Sequence, residues 1–513
     1  MGFDFDRETR RRLGYQLIDR INDYFSSLPD RPVQLPEAER TFGQLTEKMP
    51  EIGAAADQVL DDLCRELIDK GFHVPAAGYF GLMNPTPTYM AVLAEALVAA
   101  LNPQLATLAR SQLASKIESE TVRWIGERIF GLRAPGSGLR EVSNDERRTT
   151  DDAPRMTDVG RRTTPFDGTF TSGGNEANFS ALALALAAKF PEAVEDGIAS
   201  IGARPVFYAS EESHHSLDKS AGLLGLGRKA LRRIPIDARV QLDPRQLEAQ
   251  IERDLAARFR PFAVVATAGT TNSGAIDDIP ALAGICRRYD LWLHVDGAYG
   301  AAAVFSDRHR GLVQGIERAD SVTIDPHKWL AMPFAAGVVL TAHPELLKRA
   351  FGIATPYMPK VETQLHLVDN FKVSTQWSRR MNSLKLYLTL RVHGRQAYEE
   401  LIDRQLRLAA SFADWVRASD DFDLAAPQVL PILNLRLKLP GAGEAELDAA
   451  HGTVVDQVTR DGRRWISKTW VAGRSVLRAM VISYLTGEEQ ISALQHALAA
   501  AAHRLRTPAP AKP

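Results

Sequence analysis

Residues 324–329 (IDPHKW) place a lysine beside a histidine directly after a short apolar run, residues 321–324. A lysine amine at the end of a buried strand can attack a carbonyl carbon and form an imine, the first step of covalent amine catalysis. Most lysines are solvated surface residues, so Lys328 alone does not establish such chemistry. The interpretation depends on which segments the fold brings near Lys328.

Three upstream segments carry an acid, hydroxyl groups and small flexible residues that could surround such an amine. They are residues 171–177 (TSGGNEA), 266–271 (ATAGTT) and 291–299 (LWLHVDGAY). In this order, followed by the His-Lys pair, they resemble the group II pyridoxal-phosphate (PLP) amino-acid decarboxylases. That family includes the aromatic amino-acid, glutamate, cysteine-sulfinate and diaminobutyrate decarboxylases. The resemblance covers nearly the whole chain, from its N-terminal helical segment to the region after Lys385.

The composition argues against several classes of partner. The 62 basic and 63 acidic residues leave a formal net charge of −1, which provides no overall attraction for nucleic acid or an anionic membrane. Cys64 and Cys286 lie far apart without a metal-ligand spacing, so we expect reduced thiols and no metal site. Residues 91–101 are too few to span a membrane and include Glu95. The N-terminus lacks the apolar core of a signal peptide, so we expect a cytoplasmic protein without membrane contact.

The middle of the chain predicts an α/β fold. Short β-rich runs alternate with Ala- and Leu-rich helical stretches, the pattern of a mostly parallel central sheet flanked by helices. The predicted strands are residues 206–209, 262–267, 291–296, 321–325 and 337–340. Ligands bind beyond the carboxyl ends of parallel strands, so Thr267, Asp296 and Asp325 are expected to converge on one site. The resemblance implies the fold type I of PLP-dependent transferases.

The chain divides into four predicted regions. An N-terminal helical arm, residues 1–101, begins with an amphipathic helix whose apolar face needs a cover. A large PLP-binding α/β domain spans 102–392 and includes a polar segment, 132–164, that predicts a mobile surface insertion. A small C-terminal α+β domain spans 393–505, and a short tail, 506–513, follows. The resemblance implies that the arm clasps a second copy, giving a homodimer.

PLP needs an amine for its carbonyl carbon, an acid for its ring nitrogen, a phosphate cup and a flat group over its ring. Lys328 would supply the amine, and Asp296 would pair with the ring nitrogen, although an Asp after a strand is also a common helix cap. By resemblance, Gly174 and Asn175 contact the phosphate at a helix start. His214 matches the histidine that stacks on the ring, with His215 as the alternative in this doublet.

Four further residues complete the expected cofactor site. Thr267 should lie close to the ring, and Ala298, after Gly297, would let the ring approach the backbone. Asp325 could hydrogen-bond around the cofactor or simply anchor the end of its strand. His327 is an expected phosphate or substrate contact, and a neutral surface histidine is the alternative.

A proton must reach the substrate α carbon after CO₂ leaves, so the site requires a positioned acid. Tyr357, in residues 354–360 (ATPYMPK), matches the mobile-loop tyrosine that similar decarboxylases use for this step. A buried core tyrosine is the alternative. A phenylalanine at this position would have indicated oxidative aldehyde formation, as in some relatives. Lys328, Tyr357 and His214 are therefore the expected catalytic residues.

Substrate contacts are expected from Tyr79 and Phe80, in residues 79–84 (YFGLMN), and from Arg379, for which a surface ion pair is the alternative. The apolar character of residues 79–84 favours decarboxylation of an aromatic amino acid. Glutamate, aspartate or 2,4-diaminobutyrate is the alternative substrate. A PLP-dependent aldehyde synthase or carbon–carbon lyase is a second class of function. A partner protein that kept the fold without catalysis is the third.

Overall fold

The computed structural model describes residues 4–36, 39, 49–131, 166–354 and 368–506 of the 513-residue chain. The insertion predicted at residues 132–164, the loop residue Tyr357 and the tail after residue 506 lie outside these ranges. Everything else that the sequence predicts about the site falls on described residues.

Helices dominate the N-terminal segment, and helices and strands alternate from residue 166 onward. The helices are α1 (Arg7–Ser27), α2 (Ala56–Asp69), α3 (Tyr89–Leu101), α4 (Leu108–Phe130), α5 (Gly174–Lys189), α6 (Ala193–Asp196), α7 (Ser216–Leu223), α8 (Pro244–Ala256), α9 (Ile279–Arg288), α10 (Pro344–Phe351), α11 (Ser383–Ala418), α12 (Glu444–Thr459) and α13 (Glu488–Arg506). The strands are β1 (Asp167–Thr171), β2 (Pro205–Ser210), β3 (Leu231–Ile234), β4 (Arg260–Thr267), β5 (Trp292–Asp296), β6 (Ser321–Ile324), β7 (Gly337–Thr341), β8 (Phe422–Leu424), β9 (Ile432–Leu437), β10 (Ser467–Val471) and β11 (Arg474–Met480).

The central sheet has seven strands in the order β1-β7-β6-β5-β4-β2-β3. Strands β3, β2, β4, β5 and β6 pair in parallel, while β7 runs antiparallel to both β6 and β1. The predicted mostly parallel sheet is therefore confirmed. Thr267 and Asp296 are register partners at the ends of β4 and β5, and Asp325 directly follows β6.

All five predicted strands form, with small differences in their bounds. The buried runs of β4 and β5 suit a sheet covered on both faces, which is why continuous apolar sequence marked them. The strands β1 and β3 were not predicted. Their sequences, DGTFT and LRRI, are short and interrupted by polar residues, so neither gives a clear periodic signal.

A second, four-stranded antiparallel sheet in the order β10-β11-β9-β8 forms the small C-terminal domain. It has its own apolar core, to which α12 and α13 contribute Leu447 and Leu498. The long helix α11 changes direction at Gly394, where φ is +72°. The boundary that we predicted between residues 392 and 393 falls beside this bend.

The first two helices are less buried than the third. Neither α1 nor α2 contains a buried residue, while α3 buries Ala91, Ala94 and Val98.

Among the helices of the described ranges, none combines the length and apolar character required to cross a membrane.

Candidate active site

A pocket of about 280 Å³ opens at the carboxyl edge of β4, β5 and β6. All nine residues predicted to contact a cofactor line it, namely Gly174, Asn175, His214, Thr267, Asp296, Ala298, Asp325, His327 and Lys328. The remaining lining residues are Met83, Gly173, Asn178, Gly269, Thr271, Tyr299 and Phe334. The sheet thus brings together predicted cofactor residues that lie up to 154 positions apart, from Gly174 to Lys328.

Lys328 and Asp325 form the charged pair of the pocket. The Nζ atom of Lys328 lies 3.2 Å from Oδ2 of Asp325, whose side chain is almost fully buried. Burial raises the pKa of Asp325, and the nearby Lys328 ammonium opposes that rise. The pair holds the lysine side chain at the pocket wall, where its amine can meet a carbonyl group.

His327 is buried and held in one tautomer. The backbone N–H of Ala336 donates to its Nδ1 at 2.9 Å, so the proton of the neutral ring resides on Nε2. Burial and the Lys328 charge lower the pKa of His327 to about 3. The alternative of a surface histidine is therefore wrong, because only 6% of the residue is exposed.

A buried chain of hydrogen bonds orients Asp296. Asn178, on α5, donates from Nδ2 to Oδ2 of Asp296 at 2.8 Å, and its Oδ1 lies 3.1 Å from Nε2 of His294. The Nδ1 of His294 lies 2.9 Å from the Ser321 hydroxyl oxygen. Burial lowers the pKa of His294 to about 4, which keeps the ring neutral. The backbone N–H of Ala298 donates to the second Asp296 oxygen at 3.2 Å.

Sequence reasoning missed both Asn178 and His294. The available signal was a histidine inside the otherwise apolar strand LWLHV, because a polar side chain at a buried strand position requires a partner. Its partner Asn178 lies 116 residues away, on the buried face of α5. Only the packing of α5 against the sheet brings the two together.

Glycines at the start of α5 keep the pocket open. A Cβ atom on Gly174 would lie 2.7 Å from Oδ2 of Asp325, and one on Gly173 would lie 3.0 Å from Cε1 of His327. The N-terminus of this 16-residue helix lies at the same wall of the pocket, since Gly173, Gly174 and Asn175 all line it. Free backbone N–H groups at a helix start favour an anion such as a phosphate.

Several polar atoms of the pocket region have no partner within the described chain. They are the hydroxyl groups of Thr267 and Tyr299 and the Oδ1 atom of Asp325, all buried. Buried polar atoms in proteins are normally hydrogen-bonded, so a polar ligand fits beside them. Tyr299 ends the segment 291–299, and the sequence alone did not predict it as a cofactor or substrate contact.

The two histidines of the doublet, His214 and His215, have different surroundings. His214 lines the pocket and accepts the Ser216 backbone N–H at Nδ1, 3.1 Å away. The His215 side chain is 93% exposed and lies 3.2 Å from a carboxylate oxygen of Asp218. Of the two, only His214 can face a ligand in this pocket.

Three predicted substrate residues are not brought to the pocket. Tyr79 stacks on Trp465 with ring centroids 5.6 Å apart, and Phe80 is buried in the core of the small domain. Arg379 forms a buried ion pair with Glu118 rather than the surface pair that we considered. Met83 lines the pocket in their place.

The family model described as "Pyridoxal-dependent decarboxylase conserved domain" matches residues 36–438. The chain belongs to this family. The decarboxylase is 30% identical to an aromatic-L-amino-acid decarboxylase of Bacillus atrophaeus over 94% of this chain and 93% of that protein. It is 36% identical to the cysteine sulfinic acid decarboxylase of Homo sapiens over 50% of this chain and 52% of that protein.

Solved structures agree with the fold. The crystal structure of Oryza sativa TDC with PLP and tryptamine superposes with a TM-score of 0.87, covering 99% of this chain and 100% of that one, at 24% identity. The fold of this decarboxylase is therefore that of the PLP-dependent decarboxylases, as the sequence predicted. Its activity is PLP-dependent decarboxylation of an amino acid.

We predict that Asn178→Ala weakens PLP binding, because Asp296 loses its hydrogen bond from α5. The dissociation constant should rise about 10- to 100-fold, the factor for a hydrogen bond of about 1.5–3 kcal/mol to a charged group. Titration of the apo-decarboxylase with PLP, followed by protein fluorescence, measures this change. The matched control is Ser180→Ala, on the same helix, since the buried Ser180 hydroxyl has no partner in the described chain. Equal affinities for the two variants would contradict the prediction.

Proposed function

We propose that this decarboxylase converts an aromatic L-amino acid to the corresponding amine and CO₂. The observation that supports the substrate class is the character of the pocket wall. Met83 and Phe334 contribute apolar surface, and among the described lining residues Lys328 is the one Lys or Arg side chain. The side-chain carboxylate of a substrate such as glutamate or aspartate would therefore find no Lys or Arg partner other than Lys328 among these residues.

A cationic substrate side chain such as that of diaminobutyrate is also disfavoured. Both oxygens of Asp296 accept hydrogen bonds, from Asn178 and Ala298, and Asp325 pairs with Lys328 through Oδ2, which leaves only its Oδ1 without a partner among the described residues. A neutral apolar side chain would demand neither additional charge nor the desolvation of an unpaired ion. The similarity to an aromatic-L-amino-acid decarboxylase over most of both chains supports the same choice.

The placement of the side chains supports the cofactor roles that we propose. When bound, PLP supplies an electron sink for the bond that breaks at the substrate α carbon. We propose that Asp296 pairs with the ring nitrogen, that Lys328 provides the amine, and that His214 covers the ring. Gly174 and Asn175, at the start of α5, would hold the phosphate. The neutral His327 would donate from Nε2 to a ligand oxygen, while Thr267, Ala298 and Asp325 would contact the cofactor.

The acid that protonates the α carbon is proposed to be Tyr357, which lies outside the described residues. We expect Tyr357→Phe to lower the rate of amine formation by about 10²–10⁴-fold, the usual contribution of a positioned general acid. With dissolved O₂ as the oxidant, which is reduced to hydrogen peroxide, and with water supplying the aldehyde oxygen, aldehyde and ammonia should appear in place of part of the amine. Product analysis by mass spectrometry with a peroxide assay measures this change. Undiminished amine formation would exclude Tyr357 from the step.

The substrate proposal is tested with a panel of amino acids on the PLP-loaded enzyme. Tyr, Trp, Phe and dihydroxyphenylalanine are compared with Glu, Asp, cysteine sulfinate and diaminobutyrate, and CO₂ and organic product are recorded together. Lys328→Ala is the blank. CO₂ with an aromatic amine is the expected result. CO₂ from only the acidic or diamino substrates would overturn the substrate proposal but leave the reaction class intact.

We further propose a cytoplasmic homodimer. The helices α1 and α2 bury no residue, and Tyr15 and Leu67 are 57% and 71% exposed. A second copy would cover this apolar surface. Light scattering should give twice the chain mass of 56.4 kDa. An active monomer would overturn the proposal.

A further inference from the structure

The loop that follows the pocket lysine is held in place by a buried lysine from α11. The Nζ atom of Lys385 donates to the backbone carbonyl oxygens of Ala335 at 2.6 Å and Pro333 at 3.1 Å. It also lies 2.7 Å from Oε1 of Glu95, on α3. The Lys385 side chain is only 1% exposed. Lys385 therefore connects two helices to this loop.

Three acceptors match the three N–H donors of the Lys385 ammonium group. Burial lowers the pKa of Lys385, and the hydrogen bond to Glu95 opposes this effect. A buried ammonium with all donors used has one favoured geometry, because any shift leaves a polar group without a partner. The carbonyl oxygens of residues 333 and 335 are fixed accordingly.

Phe334 lies between these two carbonyl groups and lines the pocket. Its ring centroid is 4.6 Å from that of His327, and the residue is 58% exposed. Two residues after Phe334, the backbone of Ala336 makes two hydrogen bonds with His327. The Ala336 N–H donates to the His327 ring, and the His327 backbone N–H donates to the Ala336 carbonyl oxygen. The loop is thus tied to His327 at residue 336 and to Lys385 at residues 333 and 335.

We propose that Lys385 is a positioning residue that sets substrate selectivity by holding Phe334 at the pocket wall. The inference rests on the proposed function in one respect: the substrate side chain contacts Phe334. Lys385 does not line the pocket, so it acts through the loop. Its partner Glu95 couples the position of α3 to the same wall.

The principal variant is Lys385→Met, which keeps an unbranched apolar stem but removes all three donors. For the best wild-type substrate, kcat/KM should fall by about 100-fold, the scale for misplacing a group that orients substrate, and most of the loss should be in KM. The matched control is Arg380→Met. Arg380 pairs with the same Glu95 carboxylate but is half exposed, so kcat/KM should change by no more than about twofold.

A double-mutant cycle tests whether Lys385 acts through Phe334. In a Phe334→Ala background, where the ring is absent, Lys385→Met should change kcat/KM by less than about threefold, because the two effects share one route. An undiminished further loss would overturn the proposal. A Lys385→Met variant that folds and keeps both KM and the preference between two substrates would overturn it as well.

A purely structural role for Lys385 makes a different prediction. The pair Lys385→Met with Glu95→Leu removes the buried Lys385 charge together with the charge of its partly exposed partner, which can restore the melting temperature. Under a structural role kcat/KM would recover with it, and that result would overturn the proposal. Under a positioning role KM stays high because the carbonyl groups of 333 and 335 still lack their donor. If neither charge variant folds, Lys385→Gln decides, because its shorter side chain carries two N–H donors in place of three and cannot keep all the contacts of the native ammonium group. A shifted preference between two substrates supports the proposal, and an unchanged preference overturns it.

Every assay uses whichever amino acid of the panel the wild-type enzyme prefers. A preference for an acidic substrate would overturn the proposed substrate class, while the ratio between Lys385→Met and wild type would still report on positioning. A second readout is PLP affinity, which should stay within about threefold in Lys385→Met because none of the proposed cofactor contacts is removed. Failure of the proposed substrate class and failure of the proposed role of Lys385 would therefore give different results.

Discussion

Replacing Lys328 with alanine should abolish decarboxylation, with kcat/KM falling by about 10⁴-fold or more, the scale of losing a covalent nucleophile. Among the described residues Lys328 is the one lysine that lines the pocket, so none of the others there offers a second amine. Borohydride reduction of the PLP-loaded wild type should attach the cofactor to the peptide that contains Lys328. The same peptide from Lys328→Ala should stay unmodified in mass spectrometry.

Lys328→Arg separates the charge of the lysine from its reactivity. Arginine keeps a cation beside Asp325, whose Oδ2 lies 3.2 Å from the native Nζ, but cannot attack a carbonyl as lysine does. We expect the arginine variant to be as inactive as Lys328→Ala. Activity near that of wild type in either variant would show that another group forms the covalent link.

Asp296→Asn should impair both the chemistry and the pocket. An uncharged amide cannot hold a proton on the ring nitrogen, so we expect kcat to fall by about 10²–10³-fold, as for removal of one preorganised electrostatic contact. The substitution also disturbs the pocket itself. Both carboxylate oxygens accept N–H groups, from Asn178 and Ala298, and an asparagine must direct its own NH₂ at one of these donors. PLP absorbance and single-turnover kinetics would report the two effects separately.

Asp254→Asn is the matched control. Asp254 is equally buried and accepts hydrogen bonds from Tyr208 and Arg232, but it lies on α8, away from the pocket. Both variants should lower the melting temperature, because each leaves a buried donor without its acceptor. Only Asp296→Asn should lower kcat. A similar loss of kcat in the control would attribute the effect to stability instead.

The sequence by itself determined five strands of the central sheet and the residues at their carboxyl ends. Continuous apolar runs mark buried parallel strands, and the residue that ends each strand must lie at one edge. That rule is local, so Thr267, Asp296 and Asp325 could be placed without knowing any distant contact. Gly174, Asn175 and Lys328 lie in turns beside their elements, but their roles were implied by the resemblance. His214 required the resemblance as well, because its neighbour His215 is chemically identical.

Only the tertiary structure decided the contacts that depend on how separate elements pack. Within residues 79–84, Met83 rather than Tyr79 or Phe80 lines the pocket, because the Tyr79 ring stacks on Trp465 and the Phe80 ring packs in the small-domain core. The partners of Arg379 and Lys385, Glu118 and Glu95, lie hundreds of positions away. Neither the charge of a residue nor its position in the sequence predicts which distant residue it will pair with. A buried ion requires a partner, but its identity is fixed only when the helices pack.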